Sequence, residues 1–328
     1  MRRACILVTV VLLAVGLGCG SGTNPAATSG TVGGVGLPGT STGTGGSVGG
    51  ASTAATVGRT GPTGLGGSAA PEEIRAPNGI LKRIDALIKD DVEKWCAGKG
   101  IAWPTAAVVL RIFKREHEIE IWAKNEGQGK MVLVRTIPIC AMDFDPGPKI
   151  ADGDGKTPEG IYHPDFSYQS ANWWMWMDLD REKVGERGQV GKGSCFKMCI
   201  EYPNDLDRRR TKEMKHTRPG GEICLHGNCV SAGCASFKNA DFLPVFAFAR
   251  HHDTKKFGKL QLHIFPFRFE KLSDADKSAL AEKYPYNDAW GKQKLLQFWA
   301  NLKEGYDKFN SNPNPLSVSI GQQKYEFK

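Results

Sequence analysis

The first 70 residues of this 328-residue sequence lack the features that membrane spans and folded domains need. No apolar run reaches the roughly 20 residues of a membrane-spanning helix, and the longest is Ile6–Val15. Residues 20–70 contain no aromatic side chain and one charge, Arg59, but 17 glycines. A stretch of this composition cannot bury enough apolar surface to fold. We therefore expect residues 19–70 to form a disordered tether.

The sequence also lacks a dense cluster of basic residues. Lysine and arginine number 43 against 35 acidic residues, so the net charge is only +8. This mild excess suits an anionic polymer or a membrane surface. We expect no nucleic-acid partner, because no basic helix or nucleic-acid motif is present.

The short apolar run has the form of a secretory signal peptide. It follows two arginines and ends at Leu17-Gly18-Cys19, which resembles a lipoprotein cleavage site. We expect a signal peptide over residues 1–18 and lipid attached to Cys19, although ordinary cleavage nearby is the alternative. Gly20 is not aspartate, so the usual bacterial sorting rule predicts the periplasmic side of the outer membrane.

Residues 71–328 have the composition of a folded domain with one sizeable core. Apolar spacing predicts a helix in residues 74–94, within an N-terminal helical segment spanning 71–104. A hairpin and a third strand follow at 108–113, 118–122 and 131–139, and Pro138 places the third at an edge or bulge. Further elements are a helix at 240–249, a strand at 260–265, and two helices after Ser273.

The candidate site lies within Glu222–Ser236. His226 falls on a predicted strand, and Cys234 ends the turn Ser231-Ala-Gly-Cys234. A cysteine nucleophile needs a base to take its proton and backbone N–H donors for the oxyanion. Gly233 lets the backbone approach a substrate carbonyl without a side chain in the way. The stretch predicts a thiol–imidazole site.

His226-Gly227 followed by Ser231-X-Gly-Cys234 resembles the active-site signature of the YkuD-type L,D-transpeptidases. The short spacing and Cys229 resemble the YafK-like branch of that family. Ala232 stands where the family usually has histidine, and Ala235 and Ser236 follow where an arginine is usual. Thr157-Pro158-Glu159-Gly160 resembles a turn near the family's active site. The resemblance covers about residues 75–310.

This resemblance implies a mostly β fold with flanking helices. The YkuD-like β-sandwich would span residues 105–268, with a C-terminal helical extension over 269–328 and neither metal nor cofactor. Cys234 would be the nucleophile and His226 the general base and later acid. The remaining implied site residues are Gly233 and the Cys234 amide for the oxyanion, Gly227 or Ser231 for orienting the imidazole, and Thr157, Pro158, Glu159 and Gly160 for substrate.

Three other interpretations of these residues stay open at the level of sequence. Cys224, His226, Cys229 and Cys234 have plausible zinc-ligand types, and Cys234 would alternatively be an inert core thiol. Asp152–Gly160 has the aspartates of a calcium loop, but Lys156 stands where a ligand is needed. If Cys5 is removed, Cys19 lipidated and Cys234 catalytic, six cysteines remain and allow 15 pairings. These are Cys96, Cys140, Cys195, Cys199, Cys224 and Cys229.

The predicted function is peptidoglycan L,D-transpeptidation. The acyl part of a wall stem peptide would pass through a Cys234 thioester to an amine, either of diaminopimelate or of a wall-attached lipoprotein. A hydrolase of the same family would use water as acceptor. A non-enzymatic wall-binding lipoprotein is the alternative from another class, and it would need neither the cysteine nor the histidine.

Overall fold

The computed structural model describes residues 77–165, 197–227, 229–286 and 290–328. Cys19, the predicted signal peptide and tether, and Cys195 lie outside them. Residues 71–328 form one compact unit. Among the described residues, no helix is long and apolar enough to cross a bilayer.

The described chain contains six α-helices and eleven strands. More of the described residues lie in helices than in strands, so the fold is mixed α/β. The predicted sheets and flanking helices are present, but the helical share is larger than a mostly β fold implies. The helices are α1 (Pro77–Ala97), α2 (Asp205–Glu213), α3 (Asn239–Arg250), α4 (Thr254–Phe257), α5 (Asp274–Glu282) and α6 (Lys292–Ser311). The strands are β1 (Ala107–Phe113), β2 (Glu118–Lys124), β3 (Val132–Pro138), β4 (Gly160–Tyr162), β5 (Pro164–Asp165), β6 (Lys197–Ile200), β7 (Cys224–His226), β8 (Ala235–Ser236), β9 (Gln261–Phe265), β10 (Val318–Ile320) and β11 (Tyr325–Phe327).

A five-stranded sheet with the order β3-β2-β1-β9-β4 forms the centre of the unit. Strand β1 pairs antiparallel with β2 and parallel with β9. The predicted hairpin is therefore confirmed, and β3 is an edge strand that ends at Pro138. Proline is tolerated there because an edge strand does not need every backbone N–H.

A four-stranded sheet with the order β5-β6-β7-β8 holds the candidate site. The chain passes from the first sheet to the second at His163, which lies between β4 and β5. Strands β6 and β7 are antiparallel, whereas β7 and β8 are parallel. The second sheet is thus a direct continuation of the edge of the first.

Both sheets contribute to one apolar core with α1 and α3. Leu110 of the first sheet, Leu225 of the second, Val92 of α1 and Phe246 of α3 all belong to it. The predicted sandwich arrangement of the two sheets stays a prediction.

The predicted C-terminal extension packs on the opposite side of the five-stranded sheet. Helix α6 carries apolar side chains at 3–4 residue spacing, which is the period of a helix with one buried face. Most of these side chains pack around Phe113 of β1 and Phe265 of β9, whereas Phe309 packs with Trp122 of β2. The buried residues of the stripe are Leu295, Phe298, Trp299, Leu302, Tyr306 and Phe309. Residues 269–328 are therefore part of the compact unit.

Candidate active site

Strand pairing brings the two predicted catalytic residues onto adjacent strands. In the parallel pair β7–β8, Leu225 lies opposite Ala235 and His226 opposite Ser236. Leu225 and Ala235 point into the shared core. Because successive side chains of a strand alternate between faces, His226 and Ser236 point to the other face, as does Cys234 just before β8. Residues eight positions apart in sequence thus become close neighbours.

The Cys234 thiol is half-buried and makes only weak contacts. Its Sγ accepts from the Cys224 N–H at 3.4 Å and lies 3.6 Å from the Glu222 carbonyl oxygen. Burial raises the pKa of the Cys234 thiol, while the Cys224 N–H and the charge of Lys197 oppose that rise. The resting sulfur is therefore a neutral thiol that needs a base to become nucleophilic.

Each imidazole nitrogen of His226 faces an oxygen. Nδ1 lies 2.5 Å from the Gly227 carbonyl oxygen, and Nε2 lies 3.2 Å from the Ser236 hydroxyl. The Ser236 hydroxyl donates its own proton to the Val230 carbonyl, so it accepts from the Nε2–H. Two acceptors on one ring favour its protonated form, whereas burial lowers the pKa of His226.

No hydrogen bond between His226 and Cys234 occurs among the described contacts. For proton transfer, the ring must exchange one of its two present contacts for Cys234 Sγ. Such hydrogen bonds commonly tighten only when substrate binds. His226 and Cys234 are diagonal neighbours on the paired strands. The Cα atoms of such neighbours are about 7–8 Å apart, a distance that a long side chain spans.

Ser231 stabilises the turn of residues 231–234, here called the nucleophile turn after the predicted role of Cys234, and does not contact the imidazole. Its hydroxyl accepts from the Gly233 N–H at 3.0 Å and donates to the Cys234 carbonyl at 2.7 Å. Of the two residues predicted to orient the ring, only Gly227 contacts it. The Gly233 N–H already has an acceptor, while no described residue accepts from the Cys234 N–H. Oxyanion binding by these two N–H groups stays a prediction, and the Cys234 amide fits it better than Gly233 does.

The Thr157–Gly160 turn lies directly against the nucleophile turn. A Cβ at Gly233 would come within 2.8 Å of the Lys156 carbonyl oxygen. The turn is buried, and the Glu159 carboxylate is fully enclosed. It accepts from the Gly147 N–H at 2.5 Å, from Lys114 Nζ at 3.4 Å and from Trp299 Nε1 at 2.9 Å.

This burial favours a supporting role for the turn over direct contact with substrate. Substrate binding by Thr157, Pro158, Glu159 and Gly160 stays a prediction.

Two disulfides remove the thiolates that a zinc site would need. Cys140 is bonded to Cys229 and Cys199 to Cys224, while Cys96 and Cys234 are free. Two of the four candidate zinc ligands are therefore oxidised. Within the described ranges, no group of three or more histidine, cysteine or acidic side chains has metal-binding geometry.

The candidate calcium loop is held together by donors from the protein. Asp154 accepts from Lys149 Nζ at 2.6 Å and from the backbone N–H groups of Ile150, Ala151 and Lys156. Its oxygens thus stabilise the turn that leads to Thr157. A calcium ion bound by Asp154 would have to displace these donors.

Sequence reasoning missed two neighbours of the candidate pair, Ser236 and Lys197. Lys197 lies opposite His226 in the β6–β7 register, and Ser236 lies opposite it in β7–β8. Only Ser236 left a signal in the sequence, since it follows Cys234 at the i+2 spacing of one strand face. The partner of a strand cannot be read from such a local pattern.

The chain is similar in sequence to proteins named as L,D-transpeptidases. The chain is 28% identical over 222 residues to "Putative L,D-transpeptidase YafK" of Escherichia coli K12, which covers 66% of this chain and 72% of that protein. The protein of that name from strain O157:H7 matches equally. This similarity supports the resemblance to L,D-transpeptidases, although no family model matches the chain.

Two solved structures match part of the chain at low sequence identity. The helical cell shape determining protein Pgp2 of Campylobacter jejuni has 17% identity and a TM-score of 0.31, and the match covers 66% of this chain and 74% of that one. Bd1075 of Bdellovibrio bacteriovorus has 17% identity and a TM-score of 0.29, with 68% and 83% covered. TM-scores this low do not establish a common fold.

Proposed function

We propose that the protein is a cysteine acyltransferase of the L,D-transpeptidase type acting on bacterial peptidoglycan. The observation that carries the proposal is the common sheet face of Cys234, a half-exposed thiol, and His226 on the paired strand. The identity shared with YafK over 222 residues supports the choice of substrate. A thiol and an imidazole on one sheet face are the minimum that acyl transfer through a thioester requires.

The reaction begins when His226 takes the proton of Cys234. The sulfur attacks the carbonyl carbon of the L-to-D bond in a wall stem peptide, and the Cys234 N–H donates to the oxyanion. The protonated imidazole then gives its proton to the departing D-alanine amine. A thioester on Cys234 remains, and an amine attacks it to complete the transfer.

The nature of the acceptor separates two functions of one site. With an amine as acceptor, from diaminopimelate or a wall-attached lipoprotein, the product is a new amide bond. With water, the protein becomes a hydrolase that trims the wall. Both use the same thioester. A non-enzymatic wall-binding lipoprotein is disfavoured because binding alone requires no half-exposed thiol beside a histidine.

Incubation with defined muropeptides tests the proposal, with products identified by mass spectrometry in the presence and absence of an added amine. We expect Cys234→Ala to abolish transfer while thermal unfolding stays unchanged. Cys96→Ala is the matched control, because it removes the other described free thiol, which lies in the core. It should lower stability and keep the activity. Turnover by a folded Cys234→Ala protein would refute the proposal.

We further propose that lipid on Cys19 anchors the protein to the periplasmic side of the outer membrane. The tether of residues 19–70 would have a root-mean-square reach of about 40 Å as a flexible coil. Replacing Cys19 by serine should then move the protein from the membrane fraction to the soluble periplasmic fraction. Continued fractionation with membranes would exclude the lipid as the anchor.

A further inference from the structure

Three cysteines form a row across the second sheet, one on β6, one on β7 and one just before β8. Cys199 of β6 lies opposite Cys224 of β7. Leu225 lies opposite Ala235 in β7–β8, so one position earlier the same register places Cys224 beside Cys234. Neighbouring strands are about 4.8 Å apart. Cys224 therefore occupies the middle of the row, with Cys199 on one side and Cys234 on the other.

The contacts of the sulfurs agree with this register. Cys199 and Cys224 are joined as a disulfide, and Cys234 is free. The Cys224 N–H donates to Cys234 Sγ at 3.4 Å. The Glu222 carbonyl oxygen lies 3.4 Å from Cys224 Sγ and 3.6 Å from Cys234 Sγ. The free thiol of Cys234 and the disulfide sulfur of Cys224 thus both lie within 3.6 Å of one carbonyl oxygen.

We propose that Cys234 has a second reaction, a reversible thiol–disulfide exchange with the Cys199–Cys224 bond. The Cys234 thiolate attacks Cys224 Sγ, and a Cys224–Cys234 bond forms as the Cys199–Cys224 bond breaks. The electron pair leaves on Cys199 Sγ, which takes up the proton that Cys234 released. One disulfide is lost and one is gained, so no external oxidant or reductant is consumed.

The row has the order that this exchange requires. A thiolate attacks a disulfide sulfur opposite the sulfur that leaves, and strand β7 lies between β6 and β8. The second disulfide, Cys140–Cys229, ties the loop between His226 and Cys234 to another segment. It therefore limits how far Cys234 moves away from the row.

The consequence for activity rests on the proposed function. In the exchanged form the Cys234 sulfur is bonded and cannot attack a stem peptide. Acyl transfer would stop until Cys199 attacks in the reverse direction or a small thiol reduces the new bond. Only the thiolate reacts in either chemistry, so conditions that form the nucleophile also favour its masking.

Disulfide mapping of the full chain, purified without reductant, tests the exchange directly. The protein is quenched in acid, alkylated with N-ethylmaleimide in denaturant and digested with trypsin and chymotrypsin. Cleavage after Arg210 separates Cys199 from Cys224, and cleavage after Leu225 separates Cys224 from Cys234. We expect alkylated Cys199 in the native protein and loss of that label in Cys234→Ser. Cys96→Ser should retain it.

Two results of the mapping would overturn the proposal. The first is a native protein in which Cys199 is never alkylated. The second is equal labelling of Cys199 in native protein and Cys234→Ser, since Cys234 would then not be the attacking group. Neither measurement uses a wall substrate, so the exchange stands or fails independently of the acyltransferase activity.

A second variant tests whether the two sulfurs reach each other. Cys199→Ser leaves Cys224 and Cys234 as free neighbours, and its fold is checked by circular dichroism. Treatment with glutathione disulfide should join them, so that Cys234 no longer reacts with maleimide until dithiothreitol is added. Formation of two separate glutathione adducts would show that the sulfurs do not meet.

Discussion

His226 and Ser236 lie directly opposite each other on the paired strands β7 and β8, with Nε2 and Oγ 3.2 Å apart. Ser236 is fully buried, and its own proton goes to the Val230 carbonyl. The hydroxyl oxygen therefore accepts from the imidazole and stabilises its protonated form. That form is the one His226 adopts after it has taken the proton of Cys234.

Ser236→Ala should slow acyl transfer by roughly fivefold, since a net hydrogen bond contributes about 1 kcal/mol and 1.36 kcal/mol corresponds to tenfold. It should also lower the pKa of His226 further, because an acceptor of the protonated ring is lost. The pH dependence of kcat measures both effects. Ser236→Thr retains the hydroxyl and should restore the native profile. An unchanged profile in Ser236→Ala would assign the serine a purely structural role.

The acid limb of kcat/KM should lie below pH 6.5. Burial lowers the pKa of His226 from its usual 6.5, and only the neutral ring accepts a proton. Activity should thus be fully present at pH 7 and decline as the pH falls through the lowered pKa. A limb above pH 6.5 would contradict this assignment.

His226→Ala should remove that limb and reduce the rate by roughly 10²–10⁴-fold. The matched control is His263→Gln. His263 is fully buried in β9, where Nε2 lies 3.1 Å from the Gln261 side-chain oxygen. Its replacement should leave the acid limb where it is. A shift of the limb in His263→Gln would make His263 the base.

Gly233→Ala should impair both stability and turnover. Gly233 has φ +118, and a Cβ there would lie 2.8 Å from the Lys156 carbonyl oxygen. Strain of this kind costs about 1–3 kcal/mol, and relief requires the nucleophile turn to move. Gly221→Ala is the control, since nothing lies within 4 Å of its Cβ position. Thermal unfolding and kcat should change in the first variant alone.

Glu159→Gln should destabilise the protein by about 1–3 kcal/mol, because it removes a buried charge beside Lys114, which keeps Asp143 as its other partner. If the carboxylate contacts substrate instead, KM should rise while the melting temperature stays constant. Exposed Glu304 on α6 supplies the control, and Glu304→Gln should change neither quantity. Thermal unfolding together with KM therefore distinguishes support of the site from substrate binding.

The sequence by itself determined the elements whose signals are local. The two helices predicted after Ser273 are present as α5 and α6, and the helix predicted at 240–249 is present as α3. The alternation in β2 and Pro138 in β3 correctly placed a hairpin and an edge strand. The sequence also singled out His226 and the turn that ends at Cys234, because each belongs to a short contiguous pattern. Such signals depend on residues within a few positions of each other, because the side-chain pattern repeats about every 3.6 residues in a helix and every two in a strand.

Only the tertiary structure decided which strands are neighbours. That pairing selected Cys140–Cys229 and Cys199–Cys224 from the possible disulfides and placed Ser236 opposite His226. It also buried Glu159 beneath Trp299, which lies 140 residues further along the chain. These contacts join segments far apart in sequence, and the composition of one segment does not specify its partner. Which segments meet is decided when both faces of the central sheet are covered by packed side chains.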